Sequence, residues 1–220
     1  MNEAEKIKII LVEDDPSWQK IMADFLGECP DFEIVGTAGR KEEALDFALN
    51  IPVDIVLMDI NLTENKRDGI TAALEILERT HLKIIMLTSL EEEELIRDSF
   101  AAGAVEYVTK DNYLDIPATI RRAIRESSPM DVLLKDYARL KREEQLKELT
   151  PAEREVFELL EEGHTLNQIE TKTFKTHNTL RTQVKQILHK LKARTRIEAI
   201  KKVESKGVYE KYDQGDNEKE

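Results

Sequence analysis

Asp54-Ile55-Val56-Leu57-Met58-Asp59 is an apolar run that ends on a carboxylate, and three other short apolar runs end in residues that complement it. Ile7 to Val12 runs into Glu13-Asp14-Asp15, Lys83 to Leu87 into Thr88-Ser89, and Val105 to Thr109 into Lys110. Short apolar runs bounded by polar and helical stretches predict buried parallel strands. All C-terminal strand ends of a parallel α/β sheet lie along one edge, which is where such folds bind ligands. Carboxylates, a hydroxyl and an ammonium therefore converge on Asp59. That set suits a carboxylate that accepts a phosphoryl group with help from a divalent cation. Any one of these residues could simply leave a strand for solvent, but the four endings taken in order argue for a site.

Working outward, strand and helix signals alternate through about residue 126. Helices fit Pro16–Glu28, Arg40–Asn50, Gly69–Arg79, Glu91–Ala102 and Leu114–Glu126, each with apolar residues three and four apart, such as Ile21 and Phe25. Alternating elements imply a doubly wound α/β domain, a parallel sheet with helices on both faces. Ser127-Ser128-Pro129 punctuates the chain. The expected organisation is a first domain over 1–128, a linker helix over 129–148 with Val132, Leu133, Tyr137 and Leu140 on a stripe, an all-α domain over 149–206, and a disordered acidic tail over 207–220.

Composition bounds the class. The chain has 220 residues, room for two domains, and a single cysteine, Cys29, so it holds no internal disulfide. Neither a long apolar run nor a signal-peptide pattern is present, and the expectation is a soluble cytoplasmic protein with no membrane partner. The net charge of −12 conceals an asymmetry. Residues 1–129 carry 27 Asp/Glu against 14 Lys/Arg, a net of −13. Residues 171–202 carry ten Lys/Arg and only Glu198 as an acid, a net of +9. One basic segment on an acidic chain predicts a nucleic-acid module joined to a domain that does not touch nucleic acid.

The motifs Val12-Glu13-Asp14, Leu57-Met58-Asp59, Asp68-Gly69, Leu87-Thr88, Tyr107 and Lys110 resemble the receiver domain of bacterial response regulators over roughly the first 126 residues. The resemblance implies a five-stranded, flavodoxin-like sheet. It implies that Asp59 is the phosphoacceptor, and that Glu13 and Asp14 hold Mg2+ together with Asp59 and the backbone carbonyl of Asn61. By the same resemblance Lys110 pairs with the phosphoryl oxygens, the Thr88 hydroxyl donates a hydrogen bond to one of them, and Thr88 and Tyr107 form a switch. Magnesium prefers hard oxygen ligands and retains waters, so a few carboxylates suffice. Phosphoryl transfer needs mainly positioning and charge neutralisation. This sequence departs from the receiver pattern in Asp111, where a proline is usual after Lys110, and in Leu62-Thr63-Glu64-Asn65-Lys66-Arg67, which lacks the common Met-Pro pair.

The C-terminal segment is rich in helix starts. Thr150-Pro151-Ala152-Glu153, Thr165-Leu166-Asn167-Gln168 and Thr195-Arg196-Ile197-Glu198 each carry capping-box logic, and Thr176 can cap a helix running to about Lys192. Four short helices, the third basic, describe a helix-turn-helix module. From Leu149 through Ile200 it resembles the LuxR-type DNA-binding domain, with Thr150, Glu153, Arg154, Glu155, Val156, Gly163, Ile169, Thr179, Val184, Ile187, Leu188, Lys190, Leu191 and Ala199 matching. Departures are Glu170 in the scaffold helix and Gln183 in the recognition helix. The two resemblances together make the chain similar to NarL-type response regulators.

Leu180, Val184, Ile187, Leu188 and Leu191 form one apolar stripe of the basic helix, so the opposite face is outward. Thr182, Lys185 and Gln186 then face outward toward base edges in the major groove, with Arg181 on the flank and long enough to reach around. The resemblance likewise implies base contacts at Arg181, Thr182 and Lys185. Lys175, Lys190, Lys192 and Arg194 are expected to neutralise phosphates.

The expected mechanism is a switched transcription factor. A partner sensor histidine kinase supplies the phosphoryl group, the charge at Asp59 draws Thr88 inward, and Tyr107 follows. The surface over Glu91–Phe100 and Val105–Tyr107 then changes, giving a homodimer on double-stranded promoter DNA, with RNA polymerase a further candidate partner. The receiver is expected to be an acceptor and not a turnover enzyme. A dehalogenase-like phosphatase would need a second aspartate where Asn61 stands. The remaining alternative is a DNA-binding factor whose receiver-like domain dimerises without phosphorylation.

Overall fold

The computed structural model describes residues 6–63, 67–89, 92–125 and 129–205. The proposed tail over 207–220 lies outside them. The chain divides into two compact units between Tyr137 and Ala138.

The first unit follows the alternation in the sequence. Its strands are β1 (Ile7–Val12), β2 (Phe32–Ala38), β3 (Ile55–Asp59), β4 (Lys83–Thr88) and β5 (Glu106–Thr109). Its helices are α1 (Pro16–Gly27), α2 (Lys41–Asn50), α3 (Asp68–Leu77), α4 (Glu93–Ala102) and α5 (Ile116–Ile124), the last preceded by a 3-10 helix over Lys110–Asp115. The five strands are all parallel in the order β2-β1-β3-β4-β5, with β3 central. Successive strand side chains point to opposite faces. Ile9, Leu11, Ile55, Leu57, Ile85 and Leu87 pack with Met22 and Leu26 of α1 and Ile116 and Ile120 of α5. The alternate residues Ile10, Val12, Val56, Met58, Ile84 and Met86 are equally buried, facing the other way under α2, α3 and α4. Burial on both faces explains why these strands read as unbroken apolar runs.

Helix α6 (Pro129–Leu146) follows; of the expected stripe on it Val132, Leu133 and Leu140 are exposed and Tyr137 is half-buried. The second unit holds α7 (Pro151–Glu161), α8 (Leu166–Thr173), α9 (His177–Lys190) and α10 (Arg196–Glu204). All three capping boxes form, at Thr150, Thr165 and Thr195, and Thr176 caps α9. Leu180, Val184, Ile187 and Leu191 are buried with Val156, Phe157, Ile169 and Leu146, and Leu188 packs against that cluster. Helix α9 stops short of Lys192 because that residue turns into the left-handed region, φ 52°. The α8–α9 turn uses the same device at Phe174, φ 55°, and leaves its ring 95% exposed. Among the described residues no helix is long and apolar enough to cross a membrane.

Candidate functional site

Strand register assembles a pocket around Asp59 at the C-terminal strand ends. Val12 pairs with Met58, so Glu13 follows β1 beside Asp59. Asp59 pairs with Leu87, so Thr88 comes one residue later on the neighbouring strand, and Thr88 pairs with Thr109, the residue before Lys110. The chemistry-bearing residues thus arrive within one residue of a common level, from positions far apart in sequence. Thr88 is fully buried, and Tyr107 is half-buried on β5 opposite Met86.

Lys110 joins the acids. Its Nζ lies 2.9 Å from Asp59 Oδ2 and 2.6 Å from Glu13 Oε2. Glu13 is 1% exposed and Asp59 5%, while Asp14 is exposed. Burial pushes the Glu13 carboxyl up to about 7, against the pull of Lys110 and with a further push from the Asp59 charge. Burial likewise raises Asp59, although Lys110 and the backbone N–H groups of Ile60 and Asn61 oppose the shift. Burial acts to lower the Lys110 ammonium, but its bonds to Glu13 and Asp59 outweigh this and leave its pKa raised. One ammonium does not offset this much carboxylate.

Glu13, Asp14 and Asp59 each offer an oxygen, all within 4.8 Å of one another. Hard oxygen donors, a surplus of negative charge and one exposed ligand on the water side fit a magnesium ion. The neighbouring loops hold the donors still. Asp15 caps α1 by accepting from Ser17 N at 2.8 Å, and its own N–H donates to Glu13 Oε1 at 3.3 Å. After β3 the chain folds back on Asp68, which accepts from Leu62 N at 2.9 Å and Thr63 Oγ1 at 3.0 Å. Gly69 must be glycine, since a Cβ there would sit 1.8 Å from the Asp59 carbonyl oxygen.

One participant escaped the sequence reading. Trp18, in the first turn of α1, places its ring centroid 4.7 Å from Lys110 Nζ. A tryptophan at helical spacing beside Met22 reads as core, and a contact across so much sequence leaves no local signal.

On the second unit, Thr182, Lys185 and Gln186 are exposed on the side of α9 away from the packed stripe, and Arg181 is exposed on its flank. The Thr182 hydroxyl donates to Asn178 O at 3.0 Å and keeps acceptor capacity. Lys192 is exposed in the turn after α9. Two expected phosphate anchors also make ion pairs within the unit. Lys190 Nζ lies 2.6 Å from Glu153 Oε2, and Lys175 Nζ 2.7 Å from Glu155 Oε2. Glu153 is 4% exposed; burial acts to raise its pKa, but bonds from Lys190 and Thr150 outweigh that and hold it below the usual carboxylate range. Lys190 therefore fastens the end of α9 to the start of α7, while its side chain stays 30% exposed. A carboxylate taken out of water is costly unless it is paired, and Lys190 and Thr150 together satisfy Glu153.

Residues 9–124 match the response regulator receiver domain family, and residues 147–203 match the bacterial regulatory proteins of the luxR family. Response regulator protein VraR of Staphylococcus aureus (strain Mu3 / ATCC 700698) is 30% identical over 199 residues, spanning 88% of this chain and 94% of VraR. The RcsB response regulator of Salmonella typhimurium, solved for its conformational dynamism in DNA interaction, shares the fold at 20% identity and a TM-score of 0.52, over 92% of this chain and 98% of its own. The response regulator domain of Thermotoga maritima CheB is 26% identical with a TM-score of 0.52, over 56% of this chain and 100% of its own. The chain belongs to the two-component response regulators that join a receiver domain to a LuxR-type helix-turn-helix domain, and is a DNA-binding regulator of transcription.

Proposed function

We propose that Asp59 accepts a phosphoryl group from a partner histidine kinase, and that the acyl phosphate switches dimerisation and sequence-specific binding to promoter DNA. The observation that carries this reading is the Lys110 ammonium bonded to both Asp59 and Glu13 inside a pocket of three carboxylates. Glu13, Asp14, Asp59 and the Asn61 carbonyl would hold Mg2+, which when bound neutralises charge on the acceptor and the incoming phosphoryl oxygens. Lys110 orients the phosphoryl oxygens, and Asp59 attacks from a fixed position because β3, Gly69 and the Asp68 turn hold its backbone. Thr88 and Tyr107, on adjacent strands next to the pocket, relay the new charge to the α4–β5 surface.

On the DNA side, Arg181, Thr182, Lys185 and Gln186 read base edges, while Lys192 contacts phosphate. A cytoplasmic location follows from these partners. Incubation of the chain with acetyl phosphate and Mg2+ should add one phosphoryl group, which EDTA prevents and Asp59→Asn abolishes. Equal labelling of Asp59→Asn would place the acceptor elsewhere.

A further inference from the structure

Lys110 is held from three sides, and the third is not a hydrogen-bond acceptor. Besides Glu13 and Asp59, its ammonium sits over the Trp18 ring, 4.7 Å from the centroid. An ammonium within about 6 Å of an aromatic face is attracted by the ring's quadrupole, and tryptophan is the strongest of the aromatic partners. Trp18 is itself well anchored. It lies in the first turn of α1, its backbone N–H reaches Asp15 Oδ1 at 3.4 Å, and its side chain packs on the core beneath the sheet.

The three neighbours behave differently during phosphoryl transfer. Asp59 gives up the charge on its attacking oxygen when it becomes an acyl phosphate. Glu13, as a cation ligand, has its charge shared. The indole face alone among these three keeps the same attraction throughout. A lysine stem has many rotamers, so an unchanging contact limits where the ammonium can wander as the carboxylates change.

We propose that Trp18 is a positioning residue for phosphoryl transfer, its ring keeping the Lys110 ammonium beside Asp59 while the carboxylate charges change. The inference rests on Asp59 being the acceptor. In the step itself an Asp59 oxygen attacks phosphorus and a new P–O bond forms. The bond from phosphorus to the donor breaks, P–N in a phosphohistidine and P–O in acetyl phosphate, and its electron pair leaves with the donor, as acetate in the latter case. Lys110 stays protonated and no proton is transferred.

The test measures initial rates of phosphoryl uptake from acetyl phosphate and Mg2+ by the full chain. Trp18→Leu should slow uptake about tenfold, and Trp18→Phe, which restores a ring, should recover most of the rate. In a Lys110→Ala background Trp18→Leu should have no further effect, because the ring acts through the ammonium. A merely structural tryptophan would slow both backgrounds by the same factor, and that result overturns the proposal, as does a Trp18→Leu chain phosphorylated at the wild-type rate. Trp18 is the chain's one tryptophan, so its fluorescence gives a second readout that needs no substitution at position 18. Lys110→Ala should change the emission of the folded, unphosphorylated chain, and unchanged emission overturns the proposal even where the Trp18 variants do not fold. A wild type that takes up no phosphoryl group would overturn the acceptor assignment, and this inference with it.

Discussion

At the scale of single residues, the acceptor pocket is a problem of unbalanced charge. Glu13 has its pKa raised from 4.5 to about 7 by burial, so a proton competes with a cation for it near neutrality. Metal binding requires the ionised carboxylate and therefore releases a proton. Mg2+ affinity should fall as pH drops through about 7, which isothermal titration at pH 6 and pH 8 would measure; equal affinity at both would contradict the assignment of Glu13 as a ligand. The linked effect on stability has the opposite direction. An acid with a raised folded pKa contributes stability that is present below pH 4.5 and lost as pH rises through about 7. In EDTA, Glu13→Gln should therefore melt higher than the wild type at pH 8 and close to it at pH 5. Gly69 is constrained by geometry instead. Ala at this position would put its Cβ 1.8 Å from the Asp59 carbonyl, forcing α3 or the acceptor strand to shift. Gly69→Ala should cost on the order of 1–3 kcal/mol of receiver stability and reduce phosphoryl uptake, as urea melts and labelling would show.

At the scale of elements, the strands and their order of polar endings were legible because a strand buried on both faces writes itself as an apolar run. Glu13, Asp59, Thr88 and Lys110 could be placed together because parallel register carries successive strand ends to one level. Helix starts were legible from Thr150, Thr165, Thr176 and Thr195, whose side chains cap locally. The ends of α8 and α9 carry less signal, because these helices terminate through left-handed Phe174 and Lys192, where no glycine marks the turn. Pairings over long separation were also hidden, as with Trp18 on Lys110. Lys190 and Glu153 stand 37 residues apart, and nothing in a basic helix distinguishes a lysine that fastens from one that reads. The two kinds separate by experiment. Lys190→Ala strands a buried carboxylate and should lower stability of the second unit by roughly 1–3 kcal/mol in urea melts. Lys185→Ala, exposed on α9, should leave stability unchanged and weaken cognate DNA binding by ~1–3 kcal/mol, with less effect on random duplex. The reverse pattern would mean that α9 presents its other face.

At the scale of the whole molecule, charge is divided between the units. In the proposed function the acidic receiver carries the phosphate chemistry, and nearly all acids are absent from residues 171–202, the segment proposed to meet DNA. This division was visible in composition alone, whereas the proposed coupling between the units would be a shift of populations, which composition does not report. The central claim is that an acyl phosphate on Asp59 raises affinity for DNA. Its most direct test is a fluorescence-anisotropy titration of labelled cognate duplex with the full chain, with and without acetyl phosphate and Mg2+, at one fixed salt concentration because phosphate contacts make affinity salt-dependent. The wild type should bind more tightly when phosphorylated, while Asp59→Asn binds identically in both conditions. Phosphorylated and unphosphorylated wild type binding with the same affinity would contradict the account.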